Sequence, residues 1–139
     1  MHAHTVEDAR SLRVLLAEDD DTMRHLLATL LRRDGHEVVE VCDGRELAAR
    51  IGDGPEGAHA YDLIISDVLM PGANGISVLS HLAGDPLSPP VVVMTAFGDQ
   101  EVHDWARSIG AIATFHKPFD SDDLRTLIFN LPRRTARIS

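Results

Sequence analysis

Cysteine and lysine are nearly absent from this chain: Cys42 and Lys117 are the sole examples of each among 139 residues. A lone thiol excludes an internal disulfide. No apolar run approaches the roughly 18 residues that would suggest a membrane span, and the N-terminus lacks the charged start and apolar stretch of a signal peptide. A soluble, cytoplasmic chain is expected. Positive charge is scarce too, with 13 Lys and Arg against 22 Asp and Glu and a net charge of -9. A phosphate backbone or anionic lipid would be repelled, so neither nucleic acid nor membrane is an expected partner.

Apolar residues, by contrast, make up 44% of the chain, enough at this length for one compact core. We expect one domain over residues 12–131, between a flexible segment at 1–11 and a tail or linker start at 132–139. Short apolar runs alternate with segments of helical period. Leu12 to Ala17 suits a strand covered on both faces, and further strands fit Glu37 to Cys42, Tyr61 to Ser66, Val91 to Met94 and Ile112 to His116. Between them, Met23, Leu26, Leu27, Leu30 and Leu31 form one helical stripe, opened by Asp20 or Asp21 and closed by Gly35. Further helices fit Asp43 to Ile51, the segment around Ile76 to Ala83, Glu101 to Ile109, and the stripe Leu124, Leu127, Ile128, Leu131. Gly52 to Ala60 reads as a loop, and the prolines of "DPLSPP" end the third helix.

Five strand-helix units in sequence imply an α/β fold, a parallel sheet with helices on both faces. In an open sheet of this kind ligands bind beyond the carboxyl ends of the strands, where the strand order reverses. Fold class, rather than periodicity, supplies the strand order 2-1-3-4-5. That order gathers Glu18 and Asp19 after strand one, Asp67 after strand three, Thr95 after strand four and Lys117 after strand five.

Three carboxylates within ~5 Å of one another would repel pairwise by about 3 kcal/mol at an effective dielectric near 20. Such a cluster needs a cation. Hard oxygen ligands in an open, partly hydrated site favour Mg²⁺, or Mn²⁺. Lys117 adds a compact charge on a flexible stem, and it stands in a chain that otherwise uses Arg twelve times.

The set "AEDD", "LIISDVLMPGANG", "VVVMTAFGD" and "GAIATFHKPF" resembles the receiver domain (CheY-like) of bacterial two-component response regulators. The resemblance spans Leu12 to Leu131 and implies a flavodoxin-like fold of that strand order. It implies that Asp67 is the phosphoacceptor, that Glu18, Asp19, Asp67 and the Leu69 backbone carbonyl bind the divalent ion, and that Thr95 and Lys117 contact the phosphoryl group. Pro118 matches the proline that usually follows a cis bond. By the same resemblance the donor is a phosphohistidine on a sensor histidine kinase or histidine phosphotransfer protein. Such a chain catalyses only its own phosphorylation and dephosphorylation. Phosphorylation would shift the helix 4, strand 5, helix 5 face, through which a homodimer or effector would bind.

Each residue also has a plainer reading. Asp20 and Asp21 suit a solvated helix start that complements the helix dipole. The eight histidines are scattered, and only His2 and His4 lie close enough in sequence to suggest a zinc pair. Cys42 suits a small buried hydrophobe. Trp105 suits either core or an exposed surface. Two classes compete with a phosphorylated switch. A phosphorylation-independent adaptor finds support only in Thr114, and a small-molecule phosphohydrolase would need a second Asp in "SDVLMP" and a cap domain.

The chain departs from the family pattern twice. Three residues before Lys117, where the family has a switch aromatic, stands Thr114, and the aromatic is Phe115. One place on a strand means the opposite face. In addition, Leu69 and Phe97, each two residues beyond Asp67 or Thr95, are apolar where the family's hydrolytic water passes. A long-lived acyl phosphate is the expected result. Decay of the phosphorylated protein should therefore speed up in Leu69→Asn or Phe97→Glu, and unchanged decay in both variants would refute the idea.

Overall fold

The computed structural model describes residues 11–52, 57–72, 75–96 and 100–132. Along them run β1 (Arg13–Ala17), α1 (Asp21–Arg33), β2 (Glu37–Val41), α2 (Gly44–Gly52), β3 (Leu63–Asp67), α3 (Gly75–Ser80), β4 (Val91–Thr95), α4 (Gln100–Ser108), β5 (Ala113–His116) and α5 (Ser121–Phe129). The strands form one parallel sheet of order β2-β1-β3-β4-β5. This is the flavodoxin-like arrangement expected from the sequence.

The near-continuous apolar strands are explained by two cores, one on each face of the sheet. Leu16, Ile65 and Met94 point to the face covered by α1 and α5, where they meet Leu27, Leu31 and Leu124. Their neighbours Leu15, Ile64 and Val93 point the other way, toward Leu47, Leu79 and Ala106 of α2, α3 and α4. Each such Leu or Ile contributes roughly 1.5–3 kcal/mol by leaving water. No helix among the described residues is long and apolar enough to cross a membrane.

Local chemistry sets the element ends. Asp20 caps α1 by accepting the Thr22 and Met23 N–H groups. At the other end Gly35 takes φ +98°, and the Gly35 and His36 N–H groups donate back to Arg32 and Leu31. The apolar stripe of α1 is narrower than its sequence spacing implied: Leu27, Ala28 and Leu31 are buried, whereas Leu26 is 54% exposed.

Other departures have local causes. β3 starts at Leu63 and takes in Asp67. Residues Gly57–Ala60 form a 3₁₀ turn within the expected loop, and 53–56 lie outside the described residues. α3 stops at Ser80, before the prolines. There the Ser80 hydroxyl donates to the Ile76 carbonyl, and the His81, Leu82 and Ala83 N–H groups tighten to i−3 acceptors. Cys42 is half-buried rather than buried, because it follows the end of β2 at the edge of the sheet. The expected segment at 1–11, apart from Ser11, lies outside the described residues, as do His2, His4 and the tail from 133.

Arg125 of α5 forks onto Asp34, the C-cap of α1, with Nε to Oδ2 at 2.8 Å and Nη2 to Oδ1 at 2.7 Å. The guanidinium holds the Asp34 carboxyl below its ordinary 3.8, against a smaller opposing effect of burial. A lowered folded value means that the stabilisation is fully present above the unfolded value and is lost as pH falls through the folded one. Both groups are about one-third exposed, so Arg125→Ala should lower stability only slightly in denaturant unfolding at neutral pH. The gap between parent and variant should close below about pH 4. A gap that persists in acid would show that the contact is not ionic.

Candidate functional site

The strand ends carry the candidate residues to one edge of the sheet. The Glu18 N–H donates to the Val41 carbonyl at 3.1 Å, extending the pairing one residue beyond β1. β3 ends on Asp67 and β4 on Thr95, with Asp67 in register with Met94. The Lys117 N–H donates to the Thr95 carbonyl at 2.8 Å, which brings the residue after β5 over the end of β4. Residues nearly a hundred positions apart are thereby set side by side.

One carboxylate oxygen from each of Glu18, Asp19 and Asp67 lies within 4.8 Å of the others. Glu18 and Asp67 are buried, and Asp19 is exposed. The Lys117 ammonium donates to Glu18 Oε1 at 2.6 Å and to Asp67 Oδ2. The remaining oxygens are engaged by backbone: Glu18 Oε2 accepts the Asp20 N–H at 3.0 Å, and Asp67 Oδ1 accepts the Leu69 N–H at 3.1 Å. Burial raises the Glu18 pKa and the Asp67 charge adds to the rise, outweighing the Lys117 and Asp20 contacts that lower it. For Lys117 burial acts downward, but the hydrogen bonds to Asp67 and Glu18 prevail and keep it above its ordinary value. Three carboxylates around one ammonium leave the pocket short of positive charge. An all-oxygen donor set with one exposed member fits Mg²⁺ or Mn²⁺.

The turn after Asp67 is held by a close approach. A Cβ on Gly75 would sit 2.8 Å from the Val68 carbonyl oxygen and 3.1 Å from that of Asp67, so only glycine lets α3 start there. Thr95 is fully buried at the end of β4. The Leu69 side chain is 52% exposed, and Phe97 lies outside the described residues. Leu26 and Met23 of α1 line a groove of about 380 Å³ that also reaches Lys117 and Phe119.

On β5 the two adjacent residues separate as alternation requires. Phe115 stacks on Phe119 at 5.2 Å in the core beneath α1 and α5. Thr114 is in register with Val93, whose side chain belongs to the opposite core. On that side β5 presents a second ring, His116, which stacks on His103 of α4 at 5.4 Å. Scattered histidines gave no hint of this pairing. Trp105 is half-buried on α4, and its indole N–H donates to the Ser80 hydroxyl at 3.0 Å. A second acidic group, Cys42, Asp43 and Glu46, is taken up in capping α2: Asp43 accepts the Glu46 N–H and Glu46 accepts the Cys42 N–H.

Sequence reasoning also passed over Arg24. It stands in the first turn of α1, where the helix dipole disfavours a cation. That mismatch was a readable signal. Its guanidinium donates to the Glu18 carbonyl oxygen at 2.8 Å.

A family model described as the response regulator receiver domain matches residues 14–129. The transcriptional regulatory protein PdtaR of Mycobacterium tuberculosis is 42% identical over 113 residues, which cover 81% of this chain and 52% of that protein. The chain thus spans about half the length of that relative. The receiver domain of the Francisella response regulator 1452 superposes with a TM-score of 0.73 at 27% identity, covering 84% of this chain and 93% of that one. The response regulator TrrA of Thermotoga maritima, solved in complex with Mg²⁺-BeF, superposes with a TM-score of 0.68 at 25% identity over 84% of this chain and 95% of that one.

The charge shortage makes a specific demand on Lys117. Without added metal, Lys117→Gln leaves buried Glu18 facing Asp67 with no counter-charge. It should lose about 1–3 kcal/mol in denaturant unfolding with a chelator present, less than for a fully buried pair because Lys117 is 19% exposed. Saturating Mg²⁺ should recover most of that loss. Equal Mg²⁺ stabilisation of parent and variant would contradict the account.

Proposed function

The chain belongs to the response regulator receiver family, and from that premise we propose that it is a phospho-accepting signalling switch with Asp67 as the acceptor. The observation that carries the reading is the crowding of the Glu18, Asp19 and Asp67 carboxylates, with the Lys117 ammonium donating to Glu18 and Asp67. Receivers work with histidine kinases or phosphotransfer proteins, so the donor is a phosphohistidine on a protein of that kind. An Asp67 carboxylate oxygen attacks the phosphorus, the new P–O bond forms as the P–N bond breaks, and the imidazole leaves with the bonding electron pair. Glu18, Asp19, Asp67 and the Leu69 backbone carbonyl would hold Mg²⁺ or Mn²⁺, which when bound offsets charge on the phosphoryl oxygens.

Lys117 has the second part. Its ammonium already touches Asp67, and it follows the negative charge from the carboxylate to the phosphoryl oxygens as that charge moves. The acyl phosphate adds roughly −1.5 to −2 charge beside the buried end of β4. A hydroxyl at Thr95 would donate to one of its oxygens, which draws the end of β4 toward Asp67. Lys117 is tied to Thr95 through the backbone, so the displacement passes to β5 and on to α4 and α5. Thr114 on the α4 side of β5 offers no ring for this movement. An effector or second copy would read the resulting change on the α4, β5, α5 face. The chain catalyses only the gain and loss of its own phosphoryl group.

Incubation with acetyl phosphate and Mg²⁺ tests the assignment by intact-mass measurement. The parent should take up one phosphoryl group, the Asp67→Asn variant none, and a chelator should abolish uptake. Continuous phosphate release without accumulation would favour a phosphohydrolase. A parent that stays unmodified under these conditions would favour the adaptor.

A further inference from the structure

Arg24 is placed where a helix least favours a cation, in the first turn of α1, and the structure shows what holds it there. The Arg24 side chain is 11% exposed, and its guanidinium makes three contacts. Nη1 donates to the Glu18 carbonyl oxygen at 2.8 Å, Nη2 to Asp21 Oδ1 at 2.7 Å, and Nε lies 3.3 Å from Glu40 Oε1. Glu40 lies on β2 and is 19% exposed, and its other oxygen accepts from Arg32 Nη1 at 2.9 Å. A chain of contacts therefore runs from Arg32 through Glu40 and Arg24 to the peptide that joins Glu18 to Asp19.

That peptide is the one that aims the acidic pair. On its N-terminal side Glu18 is fixed by the Val41 carbonyl, and the Glu18 side chain is fixed by Lys117 and the Asp20 N–H. The Glu18 carbonyl is fixed by Arg24. Asp19, the exposed member of the set, follows directly on that peptide. A guanidinium reaches all three partners because its donors fan out in one rigid plane, and an ammonium at this position would satisfy fewer of them.

We propose that Arg24, anchored by Glu40, is a positioning residue that orients the Glu18–Asp19 peptide so that both carboxylates face a shared divalent cation. The proposal rests on reading Glu18, Asp19 and Asp67 as the cation pocket. It assigns a function in that pocket to a residue of α1 and a residue of β2 that themselves touch neither cation nor phosphoryl group. Partners outside the ligand set that hold metal ligands in place commonly change affinity by 10–100-fold when lost.

Two charge-conserving variants test the proposal, so any effect reflects geometry and not net charge. Calorimetric titration of Arg24→Lys should give a Mg²⁺ dissociation constant raised about tenfold, and Glu40→Asp, which shortens the anchor, a rise of about threefold. The rate of Asp67 labelling by acetyl phosphate should need correspondingly more Mg²⁺ to reach half its maximum. At saturating Mg²⁺ it should return to near the parent rate, and because each variant is first checked by circular dichroism to be fully folded in chelator, refolding by Mg²⁺ does not account for that split. If Arg24→Lys folds poorly, Glu40→Asp carries the test alone. Parent-like Mg²⁺ affinity in the folded variants would overturn the proposal and leave the pocket intact. A parent that binds no Mg²⁺ would overturn the pocket itself, and this proposal with it.

Discussion

Like charges held at short range govern this molecule. Three carboxylates within 4.8 Å of one another, two of them buried, repel pairwise by about 3 kcal/mol at an effective dielectric near 20. A fold that aimed only at stability would not assemble them. Lys117 relieves part of the repulsion by donating to both buried members, and backbone N–H groups at Asp20 and Leu69 relieve more. The relief is incomplete, and the remaining demand for positive charge is the basis for proposing a small hard cation there. The same unbalanced electrostatics prepare Asp67 for a ligand that carries negative charge of its own, provided the cation comes with it.

The sheet makes this arrangement possible. A parallel order of β2-β1-β3-β4-β5 sends every strand out at one edge, so that β1, β3, β4 and β5 each deliver a polar or charged residue to the same place. Two apolar cores, one on each face, stabilise the sheet that bears the cost. The tie from Lys117 to the Thr95 carbonyl links the pocket to β4 and β5. On the far side of those strands the ring pair of His103 and His116 joins β5 to α4. His116 lies two residues beyond Thr114, on the same face of β5. Arg24 and Glu40 show that the support of the pocket also extends the other way, through α1 to the β2 edge.

Much of this was legible in the sequence because the dominant signals are periodic or positional. Runs such as Leu63 to Ile65 and Val91 to Val93 identify strands buried on both faces, and acids or hydroxyls directly after such runs mark the edge where the acidic cluster gathers. Asp20 and Gly35 delimit α1 by capping chemistry that is written in residue type. What stayed hidden depends on tertiary distance. Leu26 shares the spacing of its buried neighbours and yet stands in solvent, because a helix lying on a sheet buries a narrower stripe than a count of apolar residues implies. α3 ends early through side-chain and turn hydrogen bonds that no breaker residue announces. The stacked histidines and the Arg24 contacts join elements far apart in sequence, so only the dipole mismatch at Arg24 was visible beforehand.

The central claim is that these acidic groups form one cation pocket rather than a chance meeting of solvated charges. Mg²⁺ titration of the parent protein beside Asp19→Asn, followed by calorimetry, tests it most directly, since Asp19 is the exposed member of the acidic cluster and its loss leaves the core untouched. The account predicts a single site in the parent with affinity in the millimolar range or tighter, and a marked loss of that affinity in the variant. Equal binding by the two proteins, or none by the parent, would contradict it.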